Sequence, residues 1–354
     1  MGNSIAKFKK YIDLLDEVYK RASLTSGLDS DDTLVRAGAN ANEIIIPKLS
    51  MDGLADYSRN SGYVSGDVTL TNETVRFNFD RGRKFSVDAM DNEETAGLAF
   101  GKLSAEFIRT KVVPEMDAFR FATYAGTPDI GSATGTLSTG ADAYAALRAA
   151  TNEMDEAEVP TEGRILYITP TLAGLISDLD LTKSKEVMSR FSTVVNVPQS
   201  RFYTAIEQYD GTSSGETAGG YAKAVNKQEF TATANQTDFV VTAKPDEIQA
   251  VVSGTTVIPM SNVTYAKATG TVTIAAQTEG TKVTVYYNSG ADINFLIARK
   301  DAVMQYSKHV VDKIFTPDQN QNADAWIFCF RSYGLADVYE NKTAGLYCHH
   351  KAVV

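Results

Sequence analysis

The sequence predicts an α+β chain of mixed α/β texture, in which an extended β-hairpin leads into a long helix and an all-β module interrupts an α/β block. Three observations carry this prediction. Apolar residues alternate at period two on both sides of a polar break: Val68 and Leu70, then Thr71-Asn72-Glu73-Thr74, then Val75, Phe77 and Phe79. A helix of roughly thirty residues opens at Asp91. Residues 222–290 show no helical period, no Cys and no Arg, while short strands recur between turn signals.

From the N-terminus, Ile5, Phe8, Ile12, Leu15, Tyr19 and Ala22 recur at spacings of three and four, which predicts an amphipathic helix over 4–22. Ser23 to Asn42 is polar and contains glycine, so this helix reads as a tethered arm. Such an arm docks on a partner or on the far side of its own subunit; a helix packed on its own core is the alternative. The hairpin follows, with its turn expected at 71–74. One hairpin is marginal in water and has to lie on something. Nothing nearby in sequence is built to cover it, whereas a neighbouring copy of the chain can, which points to an assembly protein. Val68, Leu70, Val75 and Phe77 are therefore candidate inter-subunit contacts, with Ile5, Phe8 and Ile12 of the arm.

The run Asp80-Arg81-Gly82-Arg83-Lys84 reads either as a solvated corner between hairpin and helix or as a rim that meets acids of a neighbour. Glu93 and Glu94 in the helix's first turn supply such acids, and pairs with Arg81, Arg83 and Lys84 would set register more than affinity. Asp91 caps the helix, with Glu94 as the reciprocal half of a capping box. Phe100, Leu103 and Phe107 form its apolar stripe, continued by Val113, Met116 and Phe119. Pro114 is expected to kink or divide it, and Gly126-Thr127-Pro128 to end it.

A second helix begins near Thr139 with Asp142 at capping-box spacing, and turns Tyr144, Leu147 and Met154 inward. Ile165-Leu166-Tyr167-Ile168 is a short buried strand, followed by Thr169-Pro170 as cap and first-turn proline of a helix bearing Leu172, Leu175, Ile176 and Leu179. In 222–290 the expected strands centre on Phe239 and Val241; Ile248, Ala250 and Val252; Val263 and Tyr265; Val272 and Ile274; and Val283, Val285 and Tyr287. They imply a small sandwich or barrel between glycine-rich flanks, the mark of an insertion. Beyond 291 the α/β texture resumes with Phe295-Leu296-Ile297. Trp326 to Cys348 reads as a long hairpin turning at Asn341-Lys342-Thr343.

Composition restricts function. The 354 residues carry a net charge of −10, with 43% hydrophobic and 22% charged side chains. That balance is unsuited to gripping phosphates or an anionic membrane, though it suits a container that must not trap nucleic acid. Two cysteines, Cys329 and Cys348, are too few for a disulfide framework. No apolar run reaches the roughly eighteen residues of a membrane span, and residues 1–6 lack a signal core and the myristoylation pattern. The Asn-x-Thr sequons at Asn72, Asn235, Asn262 and Asn341 are expected by chance in a Thr-rich chain. Chemistry is scarce. The histidines are His309, His349 and His350; the adjacent pair points to opposite faces of a strand and does not share a metal. Cys348 and His350 can share a face but have no second ligand pair at metal spacing. Asp29-Ser30-Asp31-Asp32 lacks the glycine and glutamate of a calcium loop, and Asp178 with Asp180 reads as a solvated helix end. No phosphate loop, nucleophile elbow or zinc-protease motif occurs, so neither a catalytic residue nor a cofactor is expected.

Four stretches together resemble one family. They are Phe77 to Phe85 running into the long helix, Arg164 to Pro170, Asp292 to Ala298 through His309, and Trp326 to His350. In this order they are similar to the major capsid protein of tailed bacteriophages, the Hong Kong ninety-seven (Johnson) shell fold. The resemblance implies an N-terminal arm (1–41), an extended loop (42–87), a peripheral domain with spine helix and C-terminal hairpin (88–136 and 309–354), an axial domain (137–221 and 291–308) and an inserted β domain (222–290). It further implies a homo-oligomer of hexamers and pentamers in an icosahedral shell around double-stranded DNA, without sequence-specific binding and without a membrane. A scaffolding protein and a portal are implied as partners, with synthesis in the host bacterial cytoplasm. Lys48 and Lys84 lie near the loop, but no motif carries the cross-linking chemistry of some family members to them. An encapsulin-like nanocompartment is the nearest alternative, and a glycan- or host-surface-binding protein acting through 222–290 is one of a different class.

Overall fold

The computed structural model describes residues 23–30, 36–37, 43–60, 62–90, 98–179, 181–214, 216–245 and 247–353. In chain order the strands begin with β1 (Arg36–Ala37), β2 (Glu43–Met51), β3 (Val68–Arg76) and β4 (Phe79–Asp88). Helices α1 (Leu98–Phe107) and α2 (Val113–Ala125) precede β5 (Gly131–Thr134), α3 (Gly140–Glu156), β6 (Arg164–Ile168), α4 (Pro170–Ser177), α5 (Leu181–Met188) and β7 (Thr193–Asn196). Next come β8 (Ile206–Gln208), β9 (Tyr221–Lys223), β10 (Lys227–Thr231), β11 (Gln236–Val240), β12 (Ala250–Ser253), β13 (Thr256–Ile258), β14 (Thr264–Ala266), β15 (Thr271–Gln277) and β16 (Lys282–Tyr286). The chain closes with β17 (Ile293–Arg299), β18 (Val303–Phe315), β19 (Ala325–Val338) and β20 (Leu346–His350). These residues form two compact units, one from 23–28, 98–304 and 337–353, the other from 29–90 and 305–336.

The first unit is built on a five-stranded mixed sheet, in order β5-β20-β17-β6-β7. Its central strands are buried almost throughout, as strands covered on both faces must be. On one face α3, α4 and α5 bring Leu147, Met154, Leu172, Ile176 and Val187 against Leu166, Phe295, Ile297 and Tyr347. On the other, Phe121 of α2 meets Tyr167 and Phe202 edge-on, with ring centroids 5.1 and 5.0 Å apart. Thr139 caps α3 as its spacing predicts. Asp142 N–H donates to Thr139 Oγ1 at 3.1 Å, Thr139 N–H donates to Asp142 Oδ2 at 3.0 Å, and the Thr139 hydroxyl holds that carboxyl below its usual range.

The long helix is divided as Pro114 requires. A π-helical turn, Ile108–Val112, separates α1 from α2, and Pro114 lies in the first turn of α2. The wide turn accommodates the missing N–H and the ring's clash with the preceding turn. Gly126 ends the helix, its N–H donating to Ala122 O at 2.8 Å. Asp91, Glu93, Glu94 and the expected helix start lie outside the described residues.

Residues 222–290 contain a β-sandwich, β10-β16-β12-β13 against β11-β15-β14. Its core joins Phe239, Val241, Ile248, Val251, Val272, Ile274, Val283 and Val285. Ala250 and Val251 are buried and Val252 only half so, a local departure from strict alternation. The ends of the segment meet: Ser289 Oγ donates to Asn226 O at 2.8 Å, and Gly290 N–H donates to Ala224 O at 2.8 Å.

The strand pairings correct three expectations. Residues 71–74 are not a turn: β3 runs unbroken through them and pairs with β2 from Glu43↔Arg76 to Met51↔Val68. The extended hairpin is thus 43–51 with 68–76, and its tip is 52–67. Trp326 to Cys348 is not a hairpin either. β19 pairs with β4 over ten positions, from Ala325↔Asp88 to Gly334↔Phe79, whereas β20 enters the five-stranded sheet between β17 and β5. A fourteen-residue strand and a buried five-residue strand serve different sheets, joined by the short helical turn Glu340–Gly345. Arg81 to Lys84, finally, form the middle of β4 and no corner.

Candidate inter-subunit surface

The hairpin's side chains divide along its length. Leu49 faces Leu70 and Met51 faces Val68 across the ladder, and directly opposed residues share a face. At the other end Ile44 faces Val75 on the opposite face. Apolar parity therefore switches between Leu70 and Val75, which is why the sequence between them resembles a turn. Burial follows the switch: Ile44 and Val75 are 4% and 7% exposed, Val68 and Leu70 69% and 67%. Val75, one of the expected contacts, is thus largely covered within its own subunit.

Beyond Met51 the tip has its own order. Asp52 N–H donates to Asp67 O at 3.1 Å and Asp67 N–H donates back to Asp52 Oδ2 at 2.8 Å. Ser58 and Gly62 exchange two backbone bonds, and Gly62 takes a φ of +78°, a conformation that favours glycine. The rings of Tyr57 and Tyr63 lie 4.8 Å apart across this turn. Leu54, Tyr57, Tyr63 and Val64 are exposed alongside Leu49, Met51, Val68 and Leu70. Exposed apolar side chains gathered in one place make the tip the candidate interaction surface. The sequence signal for its missed half was present in Leu49 and Met51, which alternate after the β-branched run Ile44-Ile45-Ile46.

The remaining candidates are placed elsewhere. Phe77 is half-buried, stacked on Tyr333 at 5.0 Å with the Lys308 ammonium 4.9 Å from its ring, so its contacts are internal. Arg81, Arg83 and Lys84 oppose Ser332, Phe330 and Cys329 in the β4–β19 ladder. Gly82 is required there, since a Cβ would lie 2.7 Å from Phe330 O. Asp80 accepts from Arg331 Nε and Nη2 at 2.8 and 2.7 Å, and the guanidinium holds its carboxyl below the usual range. Ile5, Phe8, Ile12, Glu93 and Glu94 lie outside the described residues.

Residues 23–28, expected as part of a tether, are packed into the subunit. Thr25 and Leu28 are fully buried. The buried Asp117 carboxylate of α2 accepts from Ser23 Oγ at 2.7 Å, Leu24 N–H at 3.0 Å and Thr25 Oγ1 at 2.9 Å, and pairs with Arg201 at 3.3 Å. Arg120 donates to Thr25 Oγ1 at 2.8 Å. This network anchors residues 23–25 to α2. Elsewhere burial pushes the Cys348 thiol up to about 12, far from a nucleophile's range.

No known family profile matches the chain, and no curated protein matches it in sequence. Solved structures do match. One from Mycobacterium phage Che8 superposes at TM-score 0.50 and 12% identity, over 91% of this chain and 89% of its own. The capsid of cyanophage P-SCSP1u gives 0.47 and 12% over 90% and 86%, and a virus-like particle from Pyrococcus furiosus 0.47 and 10% over 97% and 99%. The likeness to the first spans nearly all of both chains. The chain has the phage capsid shell fold. Within that shell fold the β2–β3 hairpin is the extended loop, the α1–α2 rod the spine helix, the five-stranded sheet the axial core, and the sandwich an inserted all-β element.

Proposed function

We propose that this chain is the major capsid protein of a tailed bacteriophage, assembling into hexamers and pentamers of an icosahedral shell around double-stranded DNA. The observation that carries the proposal is the hairpin, whose base is buried in the subunit while its shaped apolar tip is exposed. A tip of this kind fits a second copy of the chain, and one patch meeting a different patch on the next copy closes into rings. Each contact can be modest, because a subunit is held by many neighbours at once. The net charge of −10 suits a wall that must not bind its contents. On this reading residues 222–290 form a module on the axial domain, and a scaffolding protein and a portal are the expected assembly partners. Phe230 packs on Phe239 at 5.5 Å and the Tyr265 hydroxyl donates to Pro245 O at 2.7 Å.

The test is sedimentation of the expressed full chain with electron microscopy of every fraction, alone and with its neighbouring genes. Closed shells, tubes or sheets of hexamers are expected. A monomer under both conditions at high concentration would overturn the proposal.

A further inference from the structure

The one histidine buried in the five-stranded sheet sits in a bonding pattern that tolerates a single protonation state. His349 on β20 is 6% exposed, opposes Phe295 of β17, and stacks on that ring at 5.2 Å. Its Nδ1 lies 2.9 Å from Asn294 Nδ2, and the same Nδ2 donates to Gly135 O at 2.9 Å. An amide nitrogen has two hydrogens and nothing to accept with. One hydrogen goes to the Gly135 carbonyl, so the other goes to Nδ1, which must be an acceptor. Turning the amide over would set its oxygen against the Gly135 carbonyl, so the orientation is determined. His349 is therefore neutral, with its proton on Nε2. Gly135 is held a second time, its N–H donating to His350 O at 2.9 Å.

We propose that Asn294, His349 and the Gly135 carbonyl form an acid-sensitive lock, which fastens the turn between β5 and α3 to the β17–β20 seam while His349 is neutral. A second proton on Nδ1 would face the Asn294 N–H, donor against donor. Relief requires either the amide to turn, which strips Gly135 O of its donor, or the imidazole to leave the sheet. Both release the turn that leads to the Thr139 cap of α3.

The surrounding charges do not favour the imidazolium. On β20 the next ring, His350, has Nδ1 2.8 Å from Lys351 O and Nε2 3.4 Å from Thr134 Oγ1. At the start of β17, Asp292 is engaged by Lys223 and Lys351 at 3.2 and 3.5 Å. Residues 131–135 carry no titratable group. The α3 acid on this face, Glu153, lies against Gly131 and Tyr347 at the other end of β5. Burial first, then the His350 ring, holds His349 below the ordinary imidazole value of 6.5. The unfolded chain therefore takes up this proton first as pH falls. The lock contributes in full above 6.5 and is lost as pH drops from there toward the lower native value.

Two measurements on the full chain test the lock. Magic-angle-spinning NMR of sedimented, ¹⁵N-histidine-labelled protein reads three rings, whether the chain is assembled or not. The expected result at neutral pH is one ring with Nε2 protonated and Nδ1 bare that keeps this state below the ordinary imidazole value of 6.5. An Nδ1–H tautomer or imidazolium at His349 would overturn the proposal. Hydrogen exchange of the peptide spanning 131–139, corrected for intrinsic rates, is then compared at about pH 7.5 and about pH 5.5. Protection should fall on acidification in the wild type and stay constant in His349→Gln, whose amide oxygen can accept from Asn294 without titrating. Equal loss in both proteins would refute the lock, and the NMR result stands if the variant does not fold.

Discussion

Replacing Val68 and Leu70 together by alanine separates the two ends of the hairpin. About two thirds of each side chain is exposed in the subunit. Full burial of such a residue is worth about 1.5–3 kcal/mol, so covering the exposed part by a neighbour contributes about 1–2 kcal/mol for each. The double variant should therefore weaken every tip contact by about 2–4 kcal/mol. At tenfold per 1.4 kcal/mol, the subunit concentration needed for assembly rises roughly 30- to 700-fold. The subunit itself should be nearly unaffected, since exposed substitutions stay within about 0.5 kcal/mol. Val75→Ala, at the buried end of the same strand, should do the reverse and cost the subunit about 1–3 kcal/mol. Light scattering against concentration measures the first effect, and calorimetry of dissociated subunits the second. If Val68→Ala/Leu70→Ala assembles at the wild-type threshold, or melts as early as Val75→Ala, the tip is not an inter-subunit surface.

Three other perturbations have defined outcomes. Asp117→Ala removes the acceptor of the 23–25 segment and leaves Arg201 without its carboxylate; a loss of about 3 kcal/mol and new protease cleavage near Ser23 are expected, with a smaller effect for Asp117→Asn. Gly82→Ala forces a Cβ against Phe330 O in the β4–β19 ladder, and calorimetry should show about 1–3 kcal/mol of destabilisation. Thr139→Ala removes the α3 cap and should cost about 1 kcal/mol in urea unfolding, whereas Thr139→Ser should retain most of it.

What the sequence disclosed was whatever is decided locally. Thr139 with Asp142, Pro170 in the first turn of α4, Pro114 in the long helix and the alternation in 222–290 each act within a few residues, and each appears in the structure where its chemistry requires; Thr169 stands at the start of α4, but its side chain makes no capping bond. The long-range choices were hidden. Ser23 and Thr25 look like linker residues until Asp117 is brought to them from far along the chain. Asp80-Arg81-Gly82-Arg83-Lys84 looks like a solvated corner because it is polar, yet β19 gives it a ten-position ladder, and the glycine marks the close backbone approach.

The hairpin shows why the candidate surface was only half legible. A strand that is buried on one face throughout keeps one apolar parity, and a change of parity ordinarily signals a turn. Here the change from Leu70 to Val75 leaves the base of the strand covered by its own subunit and the apolar side chains of the tip exposed, the arrangement on which the proposed contact with a second copy rests. Polar Thr71 to Thr74 occupy the crossover, and β3 continues through them because threonine is at home in a strand. A β-ribbon that reverses its apolar face without breaking has apolar side chains to satisfy in two places. In this chain the side chains at one of those places, Val68 and Leu70, are exposed in the subunit. Leu49 and Met51 carry the same message on β2, in register with Leu70 and Val68, so the surface belongs to both strands.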